Sequence, residues 1–310
     1  MAKFILKRFL YALLLLLIAS VLIFYGLRVA PGDVTGSIVS VTGTEVLVND
    51  IKERLGLNEP LATQYFIFLK NVVTGHPGSS LVNGAKITDV IKDAGLKTLK
   101  LGFAALLIVY LLAIPLGLLA AWGRNRPFDQ GARLIAVLGM GIPNFFLAVL
   151  LIQLFAVNLG WLPPAGTGGF EHLALPAVVL AMESMAVNMR LMRSSTLEEL
   201  SKDYIRTLNA KGLAAKRILW VHALRNALVP VIALAGVTIP LVLGYTLIVE
   251  VIFRWEGLGF QFVQSIQKRD YALAQTLALL FTAIVIMSNF LADVAHQLVD
   301  PRVRDRARAA

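Results

Sequence analysis

The side chains best suited to hold a metal, His76, His172, His222 and His296, are scattered along the sequence, and none falls in an H-E-x-x-H or similar ligand spacing. Cysteine is absent, which removes thiol catalysis, disulfides and thiolate-bound metals. The run Gly75–Ser80 has the glycines of a phosphate-cradling loop but lacks the lysine that would reach the phosphates, and G-x-x-x-x-G-K-[ST] occurs nowhere. No G-x-S-x-G nucleophile elbow is present either. Residue types and spacings therefore predict no catalytic residue, no metal site and no nucleotide held by this chain. The remaining chemical oddity is Glu183, a carboxylate in the middle of an apolar run. An ionised acid at the centre of a bilayer costs roughly 2.5–3.5 kcal/mol on insertion scales, so it should face a helix interior or a wet cavity. Two readings stand side by side: a contact for a cationic solute, or a packing acid bonded to a nearby hydroxyl or to Asn188. A lone acid is thin support for a proton- or sodium-coupled carrier, which tends to carry several such groups, broken helices and inverted repeats.

The elements around Glu183 are set by hydropathy. The chain has 310 residues, 57% hydrophobic and 15% charged, with a mean hydropathy of +0.74. Ordinary soluble domains hold roughly 45–50% apolar and about 25% charged residues. A bilayer core needs about 20 apolar residues in helix, and six stretches qualify: 9–27, 101–121, 134–158, 173–192, 227–249 and 272–292. The first resembles a signal peptide, but its apolar run is too long and no small-x-small cleavage site follows, so it is expected to remain as a span. Prolines 115, 143, 176, 230 and 240 fall inside these stretches and permit kinks. Gly139, Gly141 and Pro143, followed by Asn144-Phe145-Phe146, make the third span the best candidate for a bent helix beside a cavity, and Pro143, Asn144, Phe145 and Glu183 are the candidate translocation path.

Charge sets the expected orientation. Lys3, Lys7 and Arg8, then Arg124, Arg126 and Arg133, then the basic stretch 190–225, and finally Arg302, Arg304, Arg306 and Arg308 all fall on one side. The opposite short loops hold Arg254, Lys268 and Arg269. The positive-inside rule then puts both termini in the cytoplasm. The net charge of +10 is explained by this distribution and by anionic lipid, with no nucleic-acid motif beside it.

Two segments lie outside the apolar stretches. Residues 30–97 form an expected external subdomain with short helices near 46–55 and 63–73, the latter with Tyr65, Phe66 and Leu69 on one face. Residues 194–226 form a cytoplasmic loop. There Ser195-x-x-Glu198 has the spacing of a capping box that would start a helix. Leu197, Leu200, Tyr204 and Leu208 follow at helical spacing, with Glu199, Lys202 and Arg206 elsewhere. Lys211-Gly212 suits a helix end, and a second helix is expected over 214–227. Such a helix–glycine–helix with one apolar stripe is suited to lie on a membrane or in a groove of a partner, and periodicity does not separate the two.

Within this loop the sequence resembles a known family. Asp203-Tyr204-Ile205-Arg206-Thr207, Ala210-Lys211-Gly212-Leu213 and His222-Ala223-Leu224-Arg225-Asn226-Ala227-Leu228-x-Pro230 resemble the coupling-loop signature of binding-protein-dependent ABC permeases, closest to the B-type permeases of dipeptide, oligopeptide and nickel importers. Further matches run in order through Pro31-Gly32-Asp33, Leu55-Gly56-Leu57-Asn58-Glu59-Pro60-Leu61, Ala113-Ile114-Pro115-Leu116-Gly117, Trp161-Leu162-Pro163, Gly257-Leu258-Gly259, Arg269-Asp270-Tyr271 and Asp300-Pro301-Arg302. Asn209 stands where that family commonly has arginine, and Trp255-Glu256 replaces its usual proline before Gly257.

The resemblance implies an all-α inner-membrane protein of six spans, divided as 1–29 (tail and first span), 30–97 (external subdomain) and 98–310 (a five-helix core with the coupling loop and a basic cytoplasmic tail). It implies an importer permease forming half of the path for di- or oligopeptides, with nickel, glutathione and oligosaccharides carried by close relatives. Its implied partners are a second homologous permease, two ABC ATPase subunits that hold ATP and magnesium, an extracytoplasmic solute-binding protein, and membrane lipid. It also implies that Leu200, Asp203, Tyr204, Arg206, Ala210, Lys211, Gly212, Leu213, His222, Arg225 and Asn226 form the ATPase-coupling surface, with the stripe Leu200, Tyr204 and Leu208 in the docked face. The alternatives are a gradient-driven carrier or channel acting alone, and a membrane scaffold with no solute path.

Overall fold

The computed structural model describes residues 2–29 and 59–299. The expected short helix over 46–55, the Pro31-Gly32-Asp33 turn and the basic tail lie outside them. The described residues contain helices and an isolated antiparallel bridge between Ser79 and Lys86. We number the helices α1 (Ala2–Val29), α2 (Leu61–Val73), α3 (Ile87–Trp122), α4 (Pro127–Gly141), α5 (Asn144–Leu151, continued by a π-helical turn Ile152–Asn158), α6 (Phe170–Leu200), α7 (Asp203–Ala210), α8 (Ala215–Ile252), α9 (Leu258–Gln267) and α10 (Tyr271–Val299). Five of them are long and apolar enough to cross a membrane, and six spans result if α4 and α5 count as one. Each expected span lies inside one of these helices except the third. There the chain breaks at Ile142–Pro143 and turns by 111°. Pro143 has no N–H to continue α4, and at φ −59°, ψ 140° it starts α5 instead.

The chain forms two compact units, Met1–Leu99 with Glu256–Phe290 and Lys100–Trp255 with Leu291–Ala310. In the first, Phe24 of α1 packs with Tyr65 and Phe68 of α2 and Leu279 of α10. The Ser20 hydroxyl meets the Tyr65 hydroxyl at 2.8 Å, so two polar groups inside an apolar cluster satisfy each other. The Arg28 guanidinium lies 3.5 Å from the centre of the Phe24 ring and donates to Gln64 Oε1 at 3.1 Å and Gln275 Oε1 at 3.3 Å. Gln64, Tyr65 and Phe68 form the buried face of α2. Phe66 does not share that face with Tyr65, as expected from spacing, but is 66% exposed, since one helical step turns it about 100° away.

Asp270 ties the same unit together. It accepts from the Ser80 hydroxyl, from the Leu81 N–H at 3.2 Å and from the Leu273 N–H at 3.2 Å. The last bond is an N-cap at the start of α10. The family-like triplet Arg269-Asp270-Tyr271 therefore has a local physical reason.

In the second unit α6 is the central helix, flanked by α3, α4 and α8. Small residues set these approaches. A Cβ on Gly117 of α3 would lie 2.6 Å from the Met189 carbonyl oxygen and 2.7 Å from Met192 Cβ. On Gly139 of α4 it would lie 3.0 Å from Ala186 Cβ. Glycine at such points lets membrane helices pack backbone to backbone, where dispersion is the main attraction. Phe253 and Trp255, both fully buried, close the apolar core of this unit.

Candidate functional site

Helix α6 does not restart at Ser195. It runs unbroken to Leu200, because 189–193 are good helix formers with no glycine or proline among them. Thr196 Oγ1 donates back to the Met192 carbonyl at 2.7 Å, and Ser194 Oγ to Leu191 at 2.9 Å, as hydroxyls do inside helices. The expected capping box is therefore not formed. The break comes at Ser201-Lys202, closed by tight bonds from Ser201 N to Glu198 O and Lys202 N to Glu199 O, both 3.1 Å. Helix α7 then begins at Asp203, an acid in the first turn where the helix dipole favours one.

Glu199 sits at this break and is buried, which periodicity did not foresee. It pairs with Lys202 and accepts from the Tyr204 hydroxyl at 2.9 Å and from Asn226 Nδ2 at 3.3 Å. Asn226 also donates to Tyr204 Oη at 3.2 Å. One carboxylate thus joins the end of α6, the start of α7 and the first part of α8. Its hydrogen bond raises the Lys202 ammonium above its ordinary range. Burial raises the Tyr204 phenol, with the Asn226 contact acting against it. Both groups remain in their donor forms at neutral pH.

The far end of α7 is a Schellman motif. Gly212 has φ +75°, its N–H bonds to Asn209 O at 2.9 Å, and Leu213 N–H reaches back to Leu208 O at 3.2 Å. Leu208 and Leu213, the pair such a motif brings together, pack on the same cluster of Ile205, Ile218 and Ala223. Ile218 and Ala223 are five residues apart in the π-helical turn Ile218–Ala223, the spacing that puts both on one side of a π-helix.

This packing changes which face of α7 is free. Leu200, Tyr204 and Leu208 are half-buried against that same cluster, so the apolar stripe is absorbed by the chain's own α8. The side chains of Asp203 and Arg206 are 93% and 80% exposed and pair with each other at 3.2 Å. Thr207, Ala210, Lys211 and Gly212 are exposed with them. Arg225 and Asn226 are exposed on α8, and His222 and Leu213 are half-buried. The sequence-predicted coupling residues are brought together, with a polar outer face and an apolar inner one.

The candidate path residues are less united. Pro143 is exposed at the break, Phe145 is 58% exposed, and Asn144 has a buried Oδ1 without a partner. Glu183 is half-buried and has no hydrogen bond or ion pair among the described residues. Asn188 does not bond to it. Asn188 is fully buried and donates to the Ser184 carbonyl at 2.9 Å and to Thr238 Oγ1 at 3.2 Å.

Sequence reasoning also missed Asp129. It is fully buried, receives Arg193 Nε at 2.5 Å and Nη2 at 2.8 Å, and accepts the Asn125 N–H at 2.8 Å. This bidentate pair pins the turn between α3 and α4 to α6. The residues are 64 apart in sequence, and no local signal links them.

Among the described residues the protein is α-helical, with five or six candidate spans and a glycine-terminated helix tied to the end of α6 and the first part of α8. Residues 113–305 match the family model of the binding-protein-dependent transport system inner membrane component, and residues 1–91 match the N-terminal model of the same membrane component. The chain belongs to that family. It is 37% identical over 317 residues to the oligopeptide transport system permease protein AppB of Bacillus subtilis, covering 98% of this chain and 99% of that one. It is 35% identical over 304 residues to the glutathione transport system permease protein GsiC of Escherichia coli K12, with the same two coverages. A chain of the MetNI methionine ABC transporter, crystallised in inward-facing conformations, superposes with a TM-score of 0.53 at 20% identity, over 68% of this chain and 96% of that one. This protein is thus a multi-pass inner-membrane permease subunit of an ABC importer, which works with a binding protein and an ATPase. Family membership sets aside the carrier acting alone and the scaffold.

Proposed function

We propose that this chain forms half of the translocation path for di- or oligopeptides, and that α7 transmits ATP-driven motion to it. The observation that carries the coupling assignment is the construction of α7: anchored at one end by Glu199, ended at Gly212, and presenting Asp203 and Arg206 outward. The names of relatives 35–37% identical along nearly the whole chain support a peptide-like cargo.

The assembly is completed by a second, non-identical permease, two ATPase subunits below and an extracytoplasmic binding protein above. ATP and magnesium are bound and used in the ATPase subunits, and this chain holds no cofactor. Both termini and the loop 194–226 are cytoplasmic, residues 30–97 are external, and 98–310 form the permease core. Closure of the ATPases moves α7 and, through the Glu199 junction, tilts α6 and α8 together, a rigid-body shift between inward- and outward-facing states. Asp203, Arg206, Ala210, Lys211 and Arg225 contact the ATPase, whereas Leu200, Tyr204, Leu213, His222 and Asn226 hold α7 in place. Pro143, Asn144, Phe145 and Glu183 line the path.

Purification of the complex from native membranes, with its proteins identified by mass spectrometry and the ligand released from the binding protein, tests this reading. Recovery of a second permease, ATPases and a peptide-loaded binding protein is expected. Recovery of this chain alone, or a binding protein loaded with nickel or a sugar, would overturn the assembly or the cargo respectively.

A further inference from the structure

A cavity of about 230 Å³ lies between α4 and α6, on the second unit. Arg133, Arg190 and Arg193 border it, and because its surface is almost wholly apolar they line it with their aliphatic stems, their guanidiniums lying at its edge. Asp129 pairs with two of them, through a bidentate bond to Arg193 and a longer ion pair to Arg133 at 3.6 Å. Arg190 is exposed and has no ion pair among the described residues. Arginines thus outnumber the carboxylate that faces them by three to one. The rest of the lining is apolar: the small Ala120, Ala132 and Ala136 with Val137, Met140 and Met189.

The surroundings of the mouth decide the class of ligand. Val137 lines the cavity and is 68% exposed, and its neighbours Leu134, Ile135 and Leu138 on α4 are exposed by about half. Arginines that border such a surface stand beside an apolar medium. A water-filled solute vestibule would be expected to carry polar groups around its rim. The ligand that satisfies both parts is an anionic amphiphile, with phosphate oxygens at the arginines and an acyl chain along the alanines and Val137. Guanidinium matches phosphate in a bidentate fork, and basic pockets between membrane helices select anionic headgroups.

We propose that this cavity is a binding site for an anionic phospholipid, its acyl chain in the apolar cavity, with Arg133 and Arg190 at the edge as its headgroup ligands and Arg193 held in place by Asp129. The orientation proposed above puts it in the cytoplasmic leaflet, and nothing else in the inference depends on that reading. A bound lipid would fill the gap between α4 and α6 and stiffen the helix pair beside the Pro143 break.

The test uses the whole transporter, delipidated in detergent and supplied with equal amounts of phosphatidylglycerol and phosphatidylcholine, with bound lipid counted by native mass spectrometry. The wild type should retain phosphatidylglycerol preferentially. Arg133→Gln/Arg190→Gln should reduce that preference by about thirtyfold, and Ala136→Leu, which fills the cavity without touching charge, should reduce retention of the bound lipid. Equal retention of the two lipids by the wild type, or an unchanged preference in the double glutamine variant, would overturn the proposal. Displacement of the lipid by a soluble peptide would also overturn it and make the cavity a solute site. The readout is lipid mass, so it does not depend on whether the cargo assignment holds.

Discussion

The Tyr204 hydroxyl donates to Glu199 at 2.9 Å across the break between α6 and α7, so the angle between a candidate span and the helix after it is set by a side-chain bond. Glu199 also takes Lys202 and Asn226, and all three donors depend on this one acceptor. Hydrogen bonds to a charged partner contribute about 1.5–3 kcal/mol each. Glu199→Ala should therefore loosen α7 and lower uptake by about tenfold or more, while Glu199→Gln, which keeps an acceptor, should retain part of the activity. Uptake by reconstituted vesicles, with hydrogen exchange over 203–213, distinguishes the two.

The pH dependence of this junction has a definite sign. Lys202 and Tyr204 both have raised pKa values in the fold, so what they contribute is fully present below their ordinary values near pH 10 and is lost as pH rises through the folded values. The difference in thermal stability between the wild type and Tyr204→Phe should be flat from pH 6 to about 9 and shrink only at more alkaline pH. A difference that changed near neutral pH would remove the Tyr204–Glu199 bond from this account.

Gly212 has no neighbour within 4 Å of a Cβ, so substitution there meets backbone strain and no steric clash. The left-handed conformation costs an ordinary L-residue roughly 1–2 kcal/mol, and a β-branched one more. Gly212→Val should abolish uptake while the protein still inserts, and Gly212→Asn should remain substantially active because asparagine tolerates this region. Uptake assays paired with membrane immunoblots read both outcomes. Equal activity of the Val and wild-type proteins would remove the coupling role from this turn.

Asp129 is the sole carboxylate at the Arg193 guanidinium among the described contacts. Arg193 is partly exposed, so removing the buried carboxylate forfeits charge-assisted hydrogen bonds of about 1.5–3 kcal/mol each and leaves a cation that water can still reach. Asp129→Ala should reduce the yield and the melting temperature of the purified complex more than Asp203→Ala, whose side chain is 93% exposed. Thermal melting in detergent checks the ranking.

The spans were legible because apolar runs of bilayer length are a property of the local sequence, as was the Gly212 turn, which needs only a glycine in the right place. Pro143 marked the third span for bending, but the 111° turn depends on what α4 and α5 pack against. Ser195-x-x-Glu198 misled because the same residues serve a helix interior when nothing upstream stops the helix. Helical spacing puts Leu200, Tyr204 and Leu208 on one face of one helix, but the break at Ser201-Lys202 leaves Leu200 on α6 and the other two on α7, and what gathers them is the chain's own Ile218 and Ala223, which no periodicity identifies. Glu199 and Asp129 were hidden for the same reason: Asn226 and Arg193, which give them their roles, lie 27 and 64 residues away.

The central claim is that the outer face of α7 touches an ATPase, and the natural absence of cysteine makes a direct test clean. Single cysteines at Asp203, Arg206 and Ile205 would each be placed in the assembled transporter and treated with a short bifunctional thiol reagent against cysteines scanned over the ATPase surface. Cross-links from Asp203→Cys and Arg206→Cys, with none from the buried position Ile205→Cys, are the expected result. Cross-links from none of the three in an assembly that hydrolyses ATP, or from Ile205→Cys alone, would contradict the account.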